Sequence, residues 1–235
     1  MYVKELWRYP VKSMAGEPIE ETAVGELGVL GDRLVQVYDG GRVATARSYP
    51  RLLALHGSLG GNVGTGGGGA GAHDGKGARE RKAEDGGDAP FVDGIPWSAP
   101  GALALARGAV GPRAMLLRGD VEARFDVLPL SVATDGAIDF MQIDGRRLRP
   151  NFVLGGVDGL AERTWPGRRL KIGSLVIHAH RLRPRCVMTT WDPDTQEQDI
   201  SVLRRIGQTL QGAMSLDCSV VEPGVVRLGD SVRLL

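Results

Sequence analysis

The chain has 235 residues, a formal net charge of +1, 42% hydrophobic residues and 24% charged residues. This length allows one large domain or two small ones, and the composition is typical of a globular protein with a hydrophobic core. The balanced charge gives no reason to expect a nucleic-acid surface, and no segment approaches the ~20 apolar residues of a membrane helix. The sequence therefore predicts neither a nucleic-acid partner nor a membrane partner.

The chain has only two cysteines, Cys186 and Cys218. Two are too few for a disulfide scaffold, and they cannot supply the four thiolates of an ordinary iron–sulfur cluster. The N-terminus enters a strand-like pattern at once, with no apolar core of a signal peptide. We therefore expect a cytoplasmic, reducing location.

The N-terminal part of the chain is predicted to form short strands. Residues 3–9, 19–24, 33–38 and 42–46 are rich in β-branched or aromatic residues and are bounded by turn residues. Between the last two segments, Asp39-Gly40-Gly41 predicts a tight hairpin turn, because these residues tolerate positive φ. This pattern is typical of a β-barrel or sandwich.

A glycine-rich segment, residues 57–88, interrupts the strand pattern. It contains so little apolar side-chain surface that burial cannot offset the entropy of ordering it. Within it, residues 64–69 satisfy the dinucleotide pattern G-x-G-x-x-G, but no βαβ unit surrounds them. We therefore predict a flexible loop without a nucleotide site.

The rest of the chain is predicted to be mainly β with a few short helices. The helices expected are 98–107, capped by Ser98; 135–141, capped by Thr134; and one after a capping box formed by Thr195 and Gln198, with Ile200, Leu203, Ile206 and Leu210 on its apolar face. The strands expected are 114–117, 152–154, a hairpin over 170–182, 219–221, and a closing hairpin of 225–228 with 232–234.

Cys186 lies in the most distinctive stretch of the sequence, residues 183–195. The neighbouring Arg185 favours the thiolate, the form of cysteine that acts as a nucleophile or metal ligand. A single cysteine is more often a small buried apolar residue, so this pattern leaves both interpretations open. Cys218 has apolar neighbours and is expected to be a buried thiol without a role in the site.

Other metal sites near Cys186 are disfavoured. His178 and His180 would share one face of a strand and could join Cys186 around zinc, but no carboxylate at a suitable spacing completes the site. The turn that starts at Asp192 begins like a calcium loop, yet Glu197 stands where that loop needs glycine. We therefore expect hydrogen-bonded or solvated histidines and a structural acidic turn.

Basic residues could form an anion site with Cys186. Arginines cluster at residues 146–149 and 181–185, and Lys12 is a further candidate. Arginine offers bidentate hydrogen bonds to phosphate oxygens, which favours a phosphate-bearing ligand. From spacing alone, solvated or ion-paired arginines are equally compatible with the sequence.

Several motifs in order resemble those of MOSC domain proteins that carry an N-terminal MOSC β-barrel domain. They match over nearly the whole chain except the glycine-rich segment. The N-terminal motifs are Tyr9-Pro10-Val11-Lys12-Ser13, Gly31-Asp32-Arg33, Thr45-Ala46-Arg47 and Pro50-Arg51-Leu52. The C-terminal motifs are Leu130-Ser131-Val132-Ala133-Thr134, Arg149-Pro150-Asn151-Phe152, Trp165-Pro166-Gly167, Arg185-Cys186-x-x-Thr189-Thr190 and Pro223-Gly224-Val225-Val226.

The resemblance implies a particular fold and site. The fold would be mainly β, with an N-terminal β-barrel-like domain (residues 1–95) packed on a MOSC-type β-barrel (96–235). In such proteins a cysteine ligates molybdenum and basic residues hold the phosphate of the molybdopterin cofactor. Carried over by motif, Cys186 would be the catalytic metal ligand, and the cofactor-binding residues would be Lys12, Ser13, Arg33, Thr134, Arg149, Asn151 and Arg185.

The family includes the C-terminal domain of molybdenum-cofactor sulfurase and the amidoxime-reducing molybdoenzymes, so the resemblance implies three candidate functions. The first is an oxotransferase that reduces N-hydroxylated or similar small substrates with electrons from a separate ferredoxin-type or cytochrome-type protein. The second is a sulfur carrier that uses a Cys186 persulfide. The third is a non-catalytic carrier of the cofactor.

Overall fold

The structure, a computed structural model, describes residues 1–60, 89–119 and 124–235. The strands in these ranges are β1 (Tyr2–Arg8), β2 (Glu17–Ile19), β3 (Glu21–Gly25), β4 (Gly28–Val29), β5 (Val35–Asp39), β6 (Arg42–Val43), β7 (Gly57–Leu59), β8 (Pro90–Val92), β9 (Ile95–Pro96), β10 (Ala114–Arg118), β11 (Leu130–Thr134), β12 (Phe152–Gly155), β13 (Arg169–Ile172), β14 (Leu175–Pro184), β15 (Ala213–Glu222), β16 (Gly224–Arg227) and β17 (Val232–Leu234). The α-helices are α1 (Pro100–Val110), α2 (Asp135–Met141) and α3 (Ile200–Leu210). The prediction of a mainly β fold with a few short helices is confirmed.

The largest sheet joins the two ends of the chain. Its eight strands lie in the order β17-β13-β14-β15-β11-β12-β1-β2. Only β11 and β12 are parallel neighbours in this sheet. Strand β1 pairs with β12, which is far from it in sequence, and Leu6 lies opposite Phe152. This pairing brings the segment that follows β1 next to the C-terminal part of the chain.

The other strands form three small sheets, in the orders β10-β5-β6, β16-β3-β4 and β7-β8-β9. The predicted turn at Gly40-Gly41 is confirmed, since both glycines have positive φ and β5 pairs with β6 across them. The predicted closing hairpin is wrong. β16 pairs with β3 and β17 pairs with β13, because the Gly229 turn sends the last strand to the large sheet instead.

Two helix caps also differ from the sequence predictions. Helix α1 begins at Pro100 after Ala99, and no side chain caps it, so the predicted Ser98 cap is wrong. Proline suits this first position because its missing N–H would be unpaired there anyway. Helix α3 is capped by Asp199, whose carboxylate accepts from the Ser201 N–H, so the predicted capping box at Thr195 is also wrong.

The N-terminal core extends beyond the predicted division at residue 95. Ala102 and Ala106 of α1 pack with Val11, Val35 and other buried residues of the N-terminal part. The strand after α1, β10, pairs with β5 along its whole length. Residues 100–118 therefore belong to the N-terminal core, because their apolar faces are buried there.

The predicted flexible segment, residues 57–88, lies mostly outside the described residues. Its first residues are not a loop: β7 begins at Gly57 and pairs with β8. No α-helix in the described part of the chain is long and apolar enough to cross a membrane.

Candidate functional site

Cys186 is held in place through its backbone at the end of β14. A 3-10 helix, Val187–Thr190, starts directly after it. The Cys186 carbonyl accepts hydrogen bonds from the N–H of Thr189 at 3.0 Å and from its hydroxyl at 2.8 Å. The preceding Arg185 N–H donates to the Gly212 carbonyl at 2.8 Å. The residue as a whole is half-buried.

Cys186 lines a small cavity between the N-terminal part and the large sheet, which we call the basic cavity. Its volume is about 70 Å³. Among its lining residues are six basic side chains and one carboxylate. The full lining is Lys12, Ser13, Arg33, Arg47, Phe125, Asp126, Leu128, Ser131, Leu148, Arg149, Asn151, Arg183, Pro184, Arg185, Cys186 and Met188. Such an excess of positive charge favours an anionic ligand.

The residues predicted from the N-terminal motifs meet at this cavity because two distant segments pair. The Lys12 N–H donates to the Val35 carbonyl at 2.8 Å, and the Arg33 N–H donates to the Tyr9 carbonyl at 2.7 Å. This pairing sets Lys12 and Ser13 beside Arg33. The basic cavity thus draws residues from both parts of the chain.

Three lining residues have a left-handed backbone. The φ angles are 70° for Ser13, 53° for Arg33 and 52° for Arg149. Residues other than glycine adopt this conformation at a cost of about 1 kcal/mol or more, and such residues cluster at functional sites. The surrounding contacts must hold these three backbones against that cost.

Arg185 carries a buried charge whose hydrogen-bonding capacity is mostly unused. Its Nη2 donates to the Leu148 carbonyl at 2.8 Å, but Nε and Nη1 are buried without an acceptor among the described residues. Burial, followed by the charge of Arg183, lowers the Arg185 pKa to about 10. The guanidinium therefore remains protonated at neutral pH. The Ser131 hydroxyl, also in this cavity, is buried and has no partner in the described ranges.

Arg149 is the second cation of the cavity without a carboxylate partner among the described residues. Its guanidinium lies over the Tyr9 ring, 4.4 Å from the ring centroid, a cation–π contact. Burial and then the neighbouring Arg33 lower the Arg149 pKa to about 10, although the Tyr9 side chain acts in the opposite direction. No carboxylate of the described residues forms an ion pair with Arg149 or Arg185.

Asp126 is the single carboxylate of the cavity. It pairs with Lys12 at 2.8 Å and with Arg47 at 3.0 Å. Burial alone would raise the Asp126 pKa, but the Lys12 hydrogen bond and the charges of Lys12 and Arg47 hold it below its ordinary value. Asp126 is therefore ionised and neutralises only one edge of the cavity.

Asn151 lines the basic cavity, but its side-chain amide is hydrogen-bonded to other residues of the protein. The side-chain oxygen accepts from the Ser131 N–H at 3.1 Å, and the amide nitrogen donates to Asp32 at 3.1 Å and to the Trp7 carbonyl at 3.4 Å. Asp32 is buried and also bonds the Arg33 guanidinium. Asn151 and Asp32 thus connect the two parts of the chain and orient Arg33.

Thr134 does not line the basic cavity. Its hydroxyl oxygen accepts from the Ala137 N–H at 3.3 Å, so the predicted helix cap is confirmed. The same hydroxyl donates to the buried Glu162 carboxylate at 3.3 Å. Burial raises the Glu162 pKa, and the Thr134 contact partly opposes this change. The structure therefore gives Thr134 a role in starting α2, away from the other predicted cofactor residues.

Among the lining residues that were not predicted as site residues, four lay in the quoted motifs or in an arginine cluster of the sequence: Arg47, Ser131, Arg183 and Met188. Three of them lay inside or next to the quoted motifs, and Arg183 belonged to the arginine cluster at 181–185. The available signal was adjacency in sequence, which does not tell which side chains point inward. Arg183 also pairs with the buried Asp217 at 2.7 Å.

The disfavoured metal motifs have structural roles. The His178 and His180 rings contact each other edge to face, with centroids 4.4 Å apart, and His180 bonds the Ser219 hydroxyl at 2.8 Å. Asp192 accepts from the N–H groups of Asp194 and Thr195, at 3.0 and 2.9 Å, as a structural turn does. Cys218 is fully buried in β15, and burial raises its pKa. No cluster of three metal-ligating side chains exists among the described residues.

A second cavity, which we call the aromatic cavity, adjoins the first. Its volume is about 250 Å³, and it shares Arg149 and Met188 with the basic cavity. It is lined by Trp7, Tyr9, Ala15, Gly16, Glu17, Pro18, Leu53, His56, Arg146, Arg147, Arg149, Met188, Trp191, Asp192, Pro193 and Asp194.

Comparison with family models identifies both parts of the chain. Residues 126–233 match the MOSC domain, and residues 1–65 match the MOSC N-terminal beta barrel domain. The motif resemblance seen in the sequence is confirmed by these matches.

Similar proteins span nearly the whole chain. Human mitochondrial amidoxime-reducing component 1 is 28% identical over an alignment that covers 99% of this chain and 82% of that protein. Human mitochondrial amidoxime reducing component 2 is 26% identical, covering 98% of this chain and 82% of that protein. Among solved structures, the YuaD protein from Bacillus subtilis aligns with a TM-score of 0.49 and 13% identity over 99% of this chain and 94% of that one.

Proposed function

The chain belongs to the MOSC family, and we propose that it binds a molybdenum cofactor, with the metal and the anionic part of the cofactor in the basic cavity, and uses it to reduce N-hydroxylated compounds. The observation that carries this proposal is that Cys186 lines one cavity with two arginines, Arg149 and Arg185, that form no ion pair with a carboxylate of the described residues. The names of the two human relatives support reduction of an amidoxime, an N-hydroxylated amidine.

The donor set fits such a cofactor. The two free nitrogens of Arg185 and the free Ser131 hydroxyl are hydrogen-bond donors aimed at no described acceptor, as expected where a ligand phosphate binds. Thiolate is a soft ligand, and Cys186 has no companion ligand cluster among the described residues. A metal bound there must bring other ligands with it, as a metal held by an organic cofactor does.

In this proposal each predicted residue has a separate task. Cys186 is the metal ligand and thus the catalytic residue. Lys12, Ser13, Arg33, Arg149 and Arg185 hold the anionic part of the cofactor, with Arg47 and Arg183 adding positive charge. Asn151 acts as a positioning residue, because its polar atoms already bond the protein beside Arg33, whereas Thr134 caps α2 and has no task at the site.

When bound, the cofactor would supply a redox centre that delivers two electrons to the substrate. Together with two protons, these electrons break the N–O bond and release the oxygen as water. The described residues contain no second cysteine near Cys186 to hold an electron-transfer cluster. We therefore propose that electrons come from a separate ferredoxin-type or cytochrome-type protein.

A second candidate function is sulfur transfer through a Cys186 persulfide. The observation that favours it is the position of the half-buried Cys186 in a cavity lined by six basic side chains. A cofactor carrier without turnover uses the same site and is the third candidate.

One set of assays separates these functions. Protein purified from a molybdenum-replete host is analysed for molybdenum, then given an amidoxime with a chemical reductant. The proposal predicts amidine formation that depends on Cys186. Molybdenum without turnover indicates the carrier. Absence of molybdenum, together with a Cys186 persulfide in the mass spectrum after incubation with a cysteine desulfurase, indicates sulfur transfer and contradicts the proposal.

A further inference from the structure

We infer that one outward-facing side of the large sheet docks an acidic surface of the protein that donates electrons. We call this surface the basic sheet face. It consists of Arg169, Lys171, His178, Arg181, Arg183 and Arg233. The inference rests on the proposed function, because it names the surface that the separate electron donor would use.

Strand β13 has one apolar side and one basic side. Leu170 and Ile172 are buried in the hydrophobic core of the large sheet. Successive side chains of a strand point to opposite faces, so Arg169 and Lys171 point away from that core. Arg169 is exposed and Lys171 is half-buried.

The neighbouring strands extend this basic side. Arg233 of β17 lies opposite Lys171, and His178 of β14 lies opposite Arg169. Residues directly opposite each other in paired strands share one face of the sheet. The register therefore places these four side chains together on the outside of the sheet.

The basic sheet face carries positive charge that the protein does not neutralise. No ion pair among the described residues involves Arg169, Lys171 or Arg233. Like charges directly opposite each other in a sheet are destabilising, and Lys171 faces Arg233 in this way. The chain as a whole has a net charge of only +1, so this surface concentrates charge. An acidic surface bound there would relieve the repulsion.

The carboxylates near β14 do not cancel this charge. Asp217 is fully buried and is shared by two arginines, with Arg181 at 3.2 Å and Arg183 at 2.7 Å. One carboxylate against two guanidinium groups leaves the trio positive. Glu222 lies at the end of β15 that is farther from Cys186, and it forms no ion pair with the described residues.

The basic sheet face leads along β14 to the proposed metal ligand. β14 ends at Pro184, two residues before Cys186, and Arg183 lines the basic cavity. At ~3.3 Å per residue, the distance along the strand from His178 to Arg183 is about 17 Å. A protein bound on this face therefore contacts the wall of the cavity proposed to hold the metal. That position favours an electron donor as the occupant.

The size of the basic sheet face also suits such a partner. Three adjacent strands, β17, β13 and β14, span roughly 10 Å across their hydrogen bonds. Complexes of electron-transfer proteins are among the smallest protein interfaces, and complementary charge steers their association. A small, strongly charged surface beside a redox site has the properties of such an interface.

Charge reversal at Lys171 tests this inference. Two soluble donors serve as probes, an acidic plant-type ferredoxin and an acidic haem cytochrome. With each we measure amidoxime reduction by the holoenzyme at low donor concentration, and we repeat the assay with a chemical reductant. In Lys171→Glu we expect the donor-dependent rate to fall about fivefold or more for the probe that supports turnover, because attraction becomes repulsion. The rate with the chemical reductant should not change, since Lys171 lines neither cavity.

The variant should remain folded. Lys171→Glu places opposite charges across β13 and β17, so its urea midpoint should equal or exceed that of the wild type. The donor-dependent rate of the wild type should also fall as salt rises from about 20 to about 200 mM, because ions screen exposed charges.

Arg204→Glu is the matched control. Arg204 is exposed on α3 and forms no ion pair with the described residues, so the variant changes the net charge by the same amount. It should keep the wild-type rate with each donor and with the chemical reductant. An equal loss in Arg204→Glu and Lys171→Glu would show that net charge, and not this face, controls the donor.

The outcomes separate the inference from the proposed function. Turnover with the chemical reductant but with neither donor overturns the inference, as does an unchanged donor-dependent rate in Lys171→Glu. So does a Lys171→Glu variant that keeps its donor rate and loses binding to phosphatidylserine vesicles, since the face would then serve a membrane. If no amidine forms even with the chemical reductant, the proposed function fails. Calorimetric binding of the two donors to wild type and Lys171→Glu then decides whether the face docks an acidic protein.

Discussion

Under the proposed function, Arg185 lowers the stability of the ligand-free protein and serves to bind an anionic ligand. Its protonated guanidinium is buried with two nitrogens unpaired, which costs free energy in the ligand-free protein. An anionic ligand would supply the missing acceptors. The proposed function therefore assigns Arg185 to binding.

Replacement of this arginine by an apolar side chain should separate the two effects. We predict that Arg185→Met stabilises the cofactor-free protein by on the order of 1 kcal/mol and abolishes retention of the pterin. Urea denaturation and pterin analysis measure the two quantities. Arg113→Met is the control: Arg113 is 75% exposed, so its loss should change stability by less than about 0.5 kcal/mol and leave the pterin bound. A marked loss of stability in Arg185→Met would mean that the arginine serves the fold.

At this scale the sequence predicted which residues meet but not how each is used. Cys186, Lys12, Arg33 and Arg149 line one cavity, as their motifs suggested, and their contact with a cofactor stays a prediction. Asn151 shared a motif with Arg149, yet its side-chain oxygen and nitrogen both form hydrogen bonds within the protein. Whether a polar atom is already hydrogen-bonded within the protein depends on contacts between distant segments. Local sequence does not reveal these contacts.

Helix α3 is the element that supports the segment behind Cys186. The Asp199 N–H donates to the Thr190 carbonyl at 2.7 Å, at the end of the 3-10 helix that follows Cys186. The Asp199 carboxylate accepts from the Ser201 N–H at 2.9 Å and caps the helix. The cap therefore anchors both α3 and the chain leading to the site.

We predict that Asp199→Ala measurably lowers the free energy of unfolding, because the first turn of α3 loses its acceptor. Thr195→Ala, at the residue wrongly expected to cap the helix, should change it by less than about 0.5 kcal/mol. Urea denaturation of both variants decides the matter. If both variants lost the same free energy of unfolding, Thr195 would contribute to the helix cap after all, which would contradict the assignment to Asp199.

The periodicity of α3 was sufficient to predict the helix but not its start. Buried Ile206 and Leu210 lie on the expected face, whereas Ile200 is 59% exposed. Thr195 and Gln198 matched the capping pattern, but Gln198 instead bonds the Thr190 hydroxyl at 3.1 Å. A short motif cannot show that a tertiary contact competes for the same side chain.

Across the whole molecule, hydrogen-bonded carboxylates connect stability to pH. In four aspartates the pKa lies below its ordinary value, chiefly because the carboxylate accepts hydrogen bonds: Asp39, Asp192, Asp194 and Asp199. The unfolded chain then binds more protons than the folded protein near pH 4. Their stabilising contribution is complete above the ordinary aspartate pKa and is lost as pH falls toward the lowered values.

We therefore predict a urea midpoint that is nearly constant between pH 6 and pH 5 and falls below about pH 4. Asp194→Asn should show a shallower fall, since it lacks one of the groups that protonate. A midpoint independent of pH down to pH 3 would contradict the assignment of these ion pairs and turns.

The β architecture was predictable from local patterns, but strand partners were not. Alternating apolar residues and glycine turns located most strands correctly. The pairing of β1 with β12 and of β16 with β3 joins residues more than a hundred positions apart in the chain. This long-range pairing brings Lys12 and Cys186 to one cavity. The site therefore forms only in the complete fold and cannot be assembled from local sequence patterns.

The central claim is that Cys186 holds molybdenum in the basic cavity, and metal content tests it directly. Molybdenum and pterin are measured per chain in wild-type protein, Cys186→Ser and Cys218→Ser, all purified from a molybdenum-replete host. We predict near-stoichiometric amounts of both in the wild type and in Cys218→Ser, and loss of molybdenum from a folded Cys186→Ser. Wild-type protein without molybdenum, or a Cys186→Ser variant that retains it fully, would contradict the account.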